Sequence, residues 1–248
     1  MINEAENIYG TRAIFEALEN DAPIKEIFVG NYINVNQNDS INKILRHAQS
    51  QNIPAKKVDK NFLDQETKKA SHQGIMAKLE PFKYTDLNEI IKTTHQKTKS
   101  LIVILDHIED SGNLGAIARS GEAFGADGLI IANKRAATIS ASTYKTSAGA
   151  IFNLPVAKVA NINSAIEQLK NAEYWVASAS EHSQEEIWNT NLKGKLALVM
   201  GSEHDGVSQL VLKNSDFIVK LPLSGKVESL NVAQAATACM YEWVRQNA

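Results

Sequence analysis

The clearest structural signal in the sequence is a stretch near the C-terminus, Leu221-Pro222-Leu223-Ser224-Gly225-Lys226-Val227-Glu228-Ser229-Leu230-Asn231-Val232-Ala233. An apolar run over residues 217–221 stops at Pro222, whose nitrogen cannot donate to a ladder, so a strand should end here. A Ser-Gly pair then turns the chain, and Ser229 is placed to cap a helix over residues 232–244. Open α/β sheets bind ligands where strands end at their carboxyl side. The stretch therefore predicts either an ordinary strand-turn-helix connection or part of a ligand site.

Length and composition describe an ordinary globular protein. The chain has 248 residues, 44% hydrophobic and 22% charged, which suits one large domain or two smaller ones. The aliphatic run 101–105 is far too short to span a bilayer, and the acidic start over residues 1–6 has no signal-peptide core, so we expect a cytoplasmic protein. Cys239 is the only cysteine, which excludes an internal disulfide and a thiolate zinc site.

The charge pattern gives weak support for an RNA contact. A formal net charge of −2 makes no global electrostatic case for nucleic acid. Between residues 56 and 78, however, lysines outnumber acids, with Lys56, Lys57, Lys60, Lys68, Lys69 and Lys78 against Asp59, Asp64 and Glu66. Such a segment fits either a solvated surface or an RNA-binding face.

The first 80 residues alternate helix and strand signals and predict a small α/β domain. The expected elements are a helix opening at Gly10-Thr11, a strand 24–29, a helix capped by Ser40, a strand 53–58, a helix 61–69 and a strand 75–79. Within this domain 71–74 is a polar turn in which His72 is interpreted as a capping residue. The composition then shifts, and residues 81–99 are expected to form a linker.

From residue 100 to residue 248 the pattern is a repeated strand-helix alternation. We expect strands at 101–105, 128–132, 156–159, 174–178, 196–200 and 217–221, and helices at 113–124, 143–150, 164–171, from Ser208, and 232–244. Strands alternating with helices predict an α/β domain with a parallel sheet covered on both faces.

Two further stretches carry candidate chemistry. Residues 106–120 follow the first strand of this domain and lead into a helix N-terminus, which favours an anion, with Arg119 within two turns. For Arg119 alone, a surface ion pair is the simpler interpretation. The glycines here do not match the dinucleotide fingerprint. Residues 196–207 form a buried strand ending in a glycine-rich loop, in which Gly201 allows close backbone approach and Glu203 can accept hydrogen bonds.

Together the three stretches resemble the motifs of the SpoU/TrmH family, in the order N-x-G-A-x-x-R, G-x-E-x-x-G-V and S-L-N-V-A over residues 101–248. The resemblance implies an S-adenosyl-L-methionine-dependent RNA 2′-O-ribose methyltransferase with a SPOUT trefoil-knot domain, although knots are nearly absent from proteins. Ile8-Tyr9-Gly10 and His72-Gln73-Gly74 also resemble the family's L30e-like RNA-binding extension, over residues 1–80. The whole-chain arrangement implies a 23S ribosomal RNA guanosine 2′-O-methyltransferase.

The resemblance also implies roles for individual residues. The positions that match functional ones are Asn113, Arg119, Glu203, Ser229 and Asn231, and backbone at Gly201, Leu221 and Leu230 is expected to contact the cofactor. Methyl transfer from an activated donor needs no metal, so the protein must align the reactants and help remove a proton. The resemblance implies that Arg119 acts as a base, but a guanidinium stays protonated, so a phosphate anchor is the favoured interpretation and a base the alternative.

Several alternatives stay open at the level of sequence. Transfer RNA could be the substrate, and a catalytically silent RNA-binding protein could share the scaffold. A nucleotide-cofactor oxidoreductase is disfavoured because no strand precedes a dinucleotide fingerprint. The apolar face of the last helix fits either a core face or the interface of a homodimer through the knotted domain. His204 could act as a base, but a loop histidine beside an aspartate is usually just solvated.

Overall fold

The computed structural model describes residues 7–226 and 229–248, and these form two compact units that meet in sequence between Lys83 and Tyr84. The N-terminal unit contains β1 Asn7–Tyr9, α1 Thr11–Glu19, β2 Ile24–Gly30, α2 Asp39–Ser50, β3 Ala55–Val58, α3 Lys60–Glu66 and β4 Ile75–Leu79. Its sheet has the order β1-β4-β2-β3, in which β2 and β3 are parallel and the other neighbours antiparallel. The α/β character predicted for this unit is confirmed.

Local hydrogen bonds in the N-terminal unit correct one predicted cap. Asn38, not Ser40, caps α2, since its side chain accepts a hydrogen bond from the Ile41 amide over 3.1 Å. Both residue types suit this position, and α2 begins earlier than the apolar periodicity suggested. His72 is buried, accepts from the Gly74 amide through Nδ1 and lies 3.1 Å from Asp64 Oδ1 through Nε2. It therefore stabilises the turn, as expected.

The C-terminal unit is a six-stranded parallel sheet with helices on its faces. Its elements are α4 Leu87–Thr94, β5 Ser100–Asp106, α5 Ser111–Ala123, β6 Gly128–Ala132, α6 Ala141–Ser147, β7 Val156–Val159, α7 Ile162–Asn171, β8 Trp175–Ala179, β9 Lys195–Gly201, α8 Gln209–Asn214, β10 Phe217–Val219 and α9 Val232–Gln246. The strand order is β10-β8-β9-β5-β6-β7, and every neighbouring pair is parallel. The predicted doubly covered parallel sheet is confirmed, with β9 and β5 at its centre.

The segment expected to be a linker, 81–99, differs from that expectation. From Tyr84 onward it belongs to the C-terminal unit, and α4 buries Leu87 and Ile90 in the core of the parallel sheet. The segment looked like a linker because only a few apolar residues carry this packing. The C-terminal end of α4 is also fixed, since the Lys195 ammonium donates to the His95 carbonyl over 3.0 Å.

The last helix packs against its own chain. Along α9 the buried side chains recur at helical spacing, at Val232, Ala233, Ala236, Cys239, Met240 and Trp243. The core-face interpretation of this apolar stripe is therefore confirmed, apart from Ala235, which is half-buried. The trefoil knot stays a prediction. None of the described helices is both long enough and apolar enough to cross a bilayer.

Candidate active site

The carboxyl ends of the two central strands meet at one edge of the sheet and form the base of the site. Asp106, the last residue of β5, stands opposite Gly201, the last residue of β9, in the parallel register. Residues 107–110 lead from β5 into α5, and the Asp110 side chain caps this helix by accepting from the Asn113 amide over 2.7 Å. The loops after both strands therefore emerge side by side, as topology requires of parallel neighbours.

Three side chains from the three predicted stretches form one hydrogen-bonded group. Glu203 Oε1 accepts from Asn231 Nδ2 over 2.6 Å and from Asn113 Nδ2 over 3.2 Å. Asn231 Nδ2 also lies 3.0 Å from Asn113 Oδ1. A carboxylate can accept several hydrogen bonds at once, and amide donors suit its negative charge. The structure therefore brings together Asn113, Glu203 and Asn231, which are far apart in sequence.

The prediction that Ser229 caps the last helix is wrong. Asn231 is the N-cap, because its side-chain oxygen accepts from the Ala233 amide over 3.0 Å. The Val232 amide points to Glu203 Oε1 at 3.4 Å, so a distant residue satisfies a second free donor of the first turn. Ser229 lines a cavity instead. Val227 and Glu228, which belong to the quoted stretch, lie outside the described residues.

Gly201 leaves room for the backbone of its own loop. A Cβ on Gly201 would lie 2.1 Å from the carbonyl carbon of Gly206 and 2.2 Å from the Val207 nitrogen. Ser202 and Gly206 exchange two backbone hydrogen bonds, of 3.1 and 3.0 Å, which close the loop over residues 202–206. The missing side chain is thus required for loop closure, before any ligand is considered.

Asp106, a residue that the sequence patterns did not single out, fastens this loop to the sheet. Its carboxylate is buried and accepts from the Ser208 amide over 2.8 Å, just beyond the closed loop. The other oxygen lies 3.2 Å from His107 Nδ1. The sequence signal was a charged residue that ends a run of apolar strand residues, which is a rare place for a carboxylate.

A cavity of about 560 Å³ opens beside the hydrogen-bonded group. It is lined by the loop after β8, the 200–207 segment, the 219–223 segment and the start of α9, and it includes Gly201, Glu203, Leu221, Ser229 and Leu230. Four acidic residues belong to its lining, Glu181, Glu186, Glu203 and Asp205, against the single lysine Lys220. Leu223 and Leu230 are unusually exposed for leucines, at 40% and 36%. The cavity therefore combines a negative lining with apolar surface.

Arg119 and His204 stand apart from this group. Arg119 is exposed on α5, two turns after Asn113, and is absent from the cavity lining. Within residues 7–226 and 229–248 no carboxylate lies within ion-pair distance of its guanidinium, so the surface ion pair considered from sequence does not form there. His204 lines the cavity, is exposed, and has no ring hydrogen bond to the described residues.

Comparison with known proteins defines the class to which this fold and site belong. Residues 100–241 match the SpoU rRNA Methylase family, and residues 7–85 match the family described as RNA 2′-O ribose methyltransferase substrate binding. The chain therefore belongs to the SpoU rRNA methylase family. The first matched segment lies within the C-terminal unit, and the second lies in the N-terminal unit except for residues 84 and 85.

Individual relatives agree with this assignment. A Staphylococcus aureus (strain MSSA476) protein assigned by name to the TrmH family of tRNA/rRNA methyltransferases is 38% identical over 240 residues, covering 96% of this chain and 95% of that protein. The structure of the SpoU methyltransferase AviRb from Streptomyces viridochromogenes, in complex with the cofactor AdoMet, superposes with a TM-score of 0.70 and 25% identity, covering 98% of this chain and 90% of that one. The A. aeolicus TrmH/SpoU tRNA modifying enzyme has a TM-score of 0.55 and 25% identity, over 64% of this chain and 81% of that one.

Proposed function

We propose that this chain is an S-adenosyl-L-methionine-dependent enzyme that methylates the ribose 2′-hydroxyl of a guanosine in 23S ribosomal RNA. The observation that carries the proposal is the hydrogen-bonded group of Asn113, Glu203 and Asn231 beside the cavity. These three residues come from three separate family motifs that are far apart in sequence, and their side chains meet in space. A protein that only bound RNA would have no need to hold this group next to an acidic cavity.

The cavity fits S-adenosyl-L-methionine by size and charge. A volume of about 560 Å³ lies in the range of small-molecule sites. The acidic residues of the lining suit the sulfonium and the ammonium of this ligand, Lys220 suits its carboxylate, and exposed Leu223 and Leu230 offer apolar surface to an adenine ring. When bound, this cofactor supplies an already activated methyl group, so no metal is needed. Gly201, Leu221 and Leu230 line the cavity, and in this proposal their backbone contacts the cofactor.

In this proposal the hydrogen-bonded group, Ser229 and Arg119 hold and orient the RNA substrate. Glu203 fixes the amides of Asn113 and Asn231 in one orientation, which positions groups that can hydrogen-bond a ribose. Ser229 presents a hydroxyl on the cavity wall. Arg119, exposed and unpaired with the described carboxylates, is suited to bind a substrate phosphate through two parallel hydrogen bonds.

The N-terminal unit serves RNA recruitment in this proposal. Lys57, Lys60, Lys68 and Lys69 are exposed, whereas Lys56 is neutralised by Glu26 at 2.5 Å. The unmet positive charge on this unit is therefore smaller than the sequence count suggested. A chain truncated to residues 84–248 should keep cofactor affinity and methylate RNA poorly. Full activity of the truncated chain on ribosomal RNA would remove this role.

Ribosomal RNA is favoured over transfer RNA by the presence of the second unit. The A. aeolicus tRNA modifying enzyme covers 64% of this chain, and residues 7–85 match the separate family described as RNA 2′-O ribose methyltransferase substrate binding. We take this additional unit to serve a larger RNA substrate. The test is to incubate the protein with methyl-labelled cofactor and RNA from a strain that lacks the gene, and then to map 2′-O-methyl positions. Label in a 23S guanosine supports the proposal, whereas label in transfer RNA alone contradicts it.

We also propose that the enzyme works as a homodimer through its parallel-sheet unit. The buried stripe of α9 is occupied by the core, so a partner would have to use another face. Tyr241 on α9 is 59% exposed and packs beside Phe124 of α5, with ring centroids 5.7 Å apart. Sedimentation equilibrium on the wild type and on Tyr241→Lys tests this, since a dimer through this face should dissociate in the variant.

A further inference from the structure

The loop between β6 and α6 carries positive charge that the proposed roles have not used. Residues 128–166 contain Lys134, Arg135, Lys145 and Lys158 and no acidic residue, in a chain whose formal net charge is −2. Lys134 and Arg135 are adjacent and exposed. Neither pairs with a carboxylate of the described part of the chain. Two uncompensated charges therefore face solvent at one point.

This loop emerges at the same edge of the sheet as the candidate active site. β6 is the parallel neighbour of β5, with Ile131 opposite Leu105, so the loops that follow both strands lie side by side. The two loops are joined directly, because the Ala137 amide donates to the Ile108 carbonyl over 2.8 Å. Five residues beyond Ile108 the chain reaches Asn113.

The loop is held in place on both sides of the charged pair. Before the pair, the Asn133 amide donates to the Val159 carbonyl over 2.8 Å. After it, Ala137 and Ile139 are buried, at 5% and 9% exposure. The following helix α6 packs closely on α5, because a Cβ on Gly115 would lie 2.0 Å from Thr146 Oγ1. A fixed loop loses little conformational entropy on binding, which favours a preorganised contact.

The charges of the two neighbouring surfaces are opposite in sign. Four acidic residues and one lysine line the cavity, whereas the β6–α6 loop presents Lys134 and Arg135. A polyanion is repelled by the first surface and attracted by the second. We propose that Lys134 and Arg135 bind backbone phosphates of the RNA substrate next to the nucleotide to be methylated. This rests on the proposed function and adds a second RNA contact, on the catalytic unit itself.

The salt dependence of RNA binding tests the proposal. Affinity for purified 23S ribosomal RNA is measured by filter binding over a series of salt concentrations, for the wild type and for Lys134→Ala/Arg135→Ala. Losing two phosphate contacts should lower the slope of log affinity against log salt by about 1.4 to 1.8. Affinity for S-adenosyl-L-methionine, measured by calorimetry without RNA, should not change.

A matched control removes the same amount of positive charge from the amino-terminal edge of the parallel sheet, opposite the candidate active site. Lys193 precedes β9, and Lys92 lies in the last turn of α4, whose His95 carbonyl accepts from Lys195 at the start of β9. Lys92 and Lys193 are both exposed. Lys92→Ala/Lys193→Ala should keep the wild-type slope, which separates a local phosphate contact from an effect of net charge.

Each outcome decides between the proposals. If the wild type binds RNA and the loop variant keeps the same slope, the phosphate contact is wrong and the proposed function stands. An equal drop in slope in the control variant also overturns it, in favour of net charge. If the loop variant loses cofactor affinity, the loop supports the cavity and the RNA contact is wrong. If the wild type neither binds nor methylates RNA, the proposed function fails and this inference fails with it.

Discussion

The side-chain amide of Asn231 donates a 2.6 Å hydrogen bond to Glu203 Oε1 across 28 residues of sequence. Glu203 belongs to the closed loop after the central strand β9, and Asn231 caps the last helix. The same oxygen accepts from Asn113 at the start of α5. One carboxylate therefore ties a loop and the beginnings of two helices to each other.

A double-mutant cycle should show this coupling in stability. Removing Glu203 leaves three donors without their acceptor, and removing Asn231 also deletes a helix cap. We expect Glu203→Ala and Asn231→Ala each to lower the free energy of unfolding by about 1–2 kcal/mol. The double variant should lose less than the sum, by about 0.5 kcal/mol or more. Urea unfolding measures all four, and additive losses would contradict the coupling.

Replacement of Arg119 should separate a phosphate anchor from a base. Arg119→Ala should keep cofactor affinity, because the exposed guanidinium makes no contact that stabilises a described part of the fold. The same variant should abolish methyl transfer, because the substrate phosphate loses its anchor. Arg119→Lys keeps the charge but loses the planar fork, and a lysine can deprotonate near pH ~10.4. An anchor predicts a partly active lysine variant with little new pH dependence in single-turnover methyl transfer.

The control for Arg119 is Arg245→Ala, which removes an equally exposed arginine from the same unit. Arg245 is paired with Glu242 at 2.7 Å on the surface of α9, and such pairs contribute little to stability. Arg245→Ala should keep full methyl transfer and the oligomeric state of the wild type, which sedimentation checks because Arg245 lies one turn after Tyr241 on α9. A climb in the activity of Arg119→Lys through the lysine titration would show that residue 119 acts as a base.

Gly201→Ala should damage the loop and cofactor binding together. The new Cβ would meet Gly206 at 2.1 Å, and the contact is with backbone, which cannot rotate away. We expect a loss of about 1–3 kcal/mol in unfolding free energy, with weaker cofactor binding. Gly121→Ala is the control, because its nearest neighbour, Leu154 Cδ2, is 3.4 Å away and a helical alanine gains up to about 1 kcal/mol. Equal stability of Gly201→Ala and the wild type would contradict the contact.

The buried thiol of Cys239 should make stability depend on alkaline pH. Burial raises the pKa of this thiol from 9.0 to about 12, so the folded chain keeps a proton that the unfolded chain releases. The stabilisation is complete below pH 9 and is lost as the pH rises toward 12. Relative to Cys239→Ala, the wild type should lose about 1.4 kcal/mol between about pH 8 and about pH 10. If the difference in unfolding free energy between the wild type and Cys239→Ala is the same at both pH values, burial does not raise the pKa of the thiol.

The sequence predicts the elements of the parallel sheet well because each strand is a short apolar run bounded by turn residues. Strands β6 and β7 have the predicted bounds, 128–132 and 156–159. It fails where two suitable residues compete for one role. Ser229 and Asn231 are both good caps, and Glu203, from a distant loop, satisfies a further donor of the turn that Asn231 begins. No local pattern contains that contact.

The site itself was predictable as a set of residues but not as a geometry. The resemblance named Asn113, Glu203 and Asn231, yet neither spacing nor periodicity placed them in contact. The role of Gly201 was only half predicted, since close backbone approach was expected toward a ligand and the structure shows it toward Gly206. The buried Asp106 was missed because its partner, the Ser208 amide, lies 102 residues away.

Long sequence separations between the residues of these hydrogen bonds have a consequence for how the protein folds. The bonds Asp106–Ser208, Asn113–Asn231 and Ser120–Thr237 span 102, 118 and 117 residues. Contacts of high sequence separation form slowly, because a long loop must close before they stabilise anything. The hydrogen-bonded group of the candidate site therefore forms only after the segment from Asn231 onward has packed against the rest of the C-terminal unit, which makes the site a late product of folding.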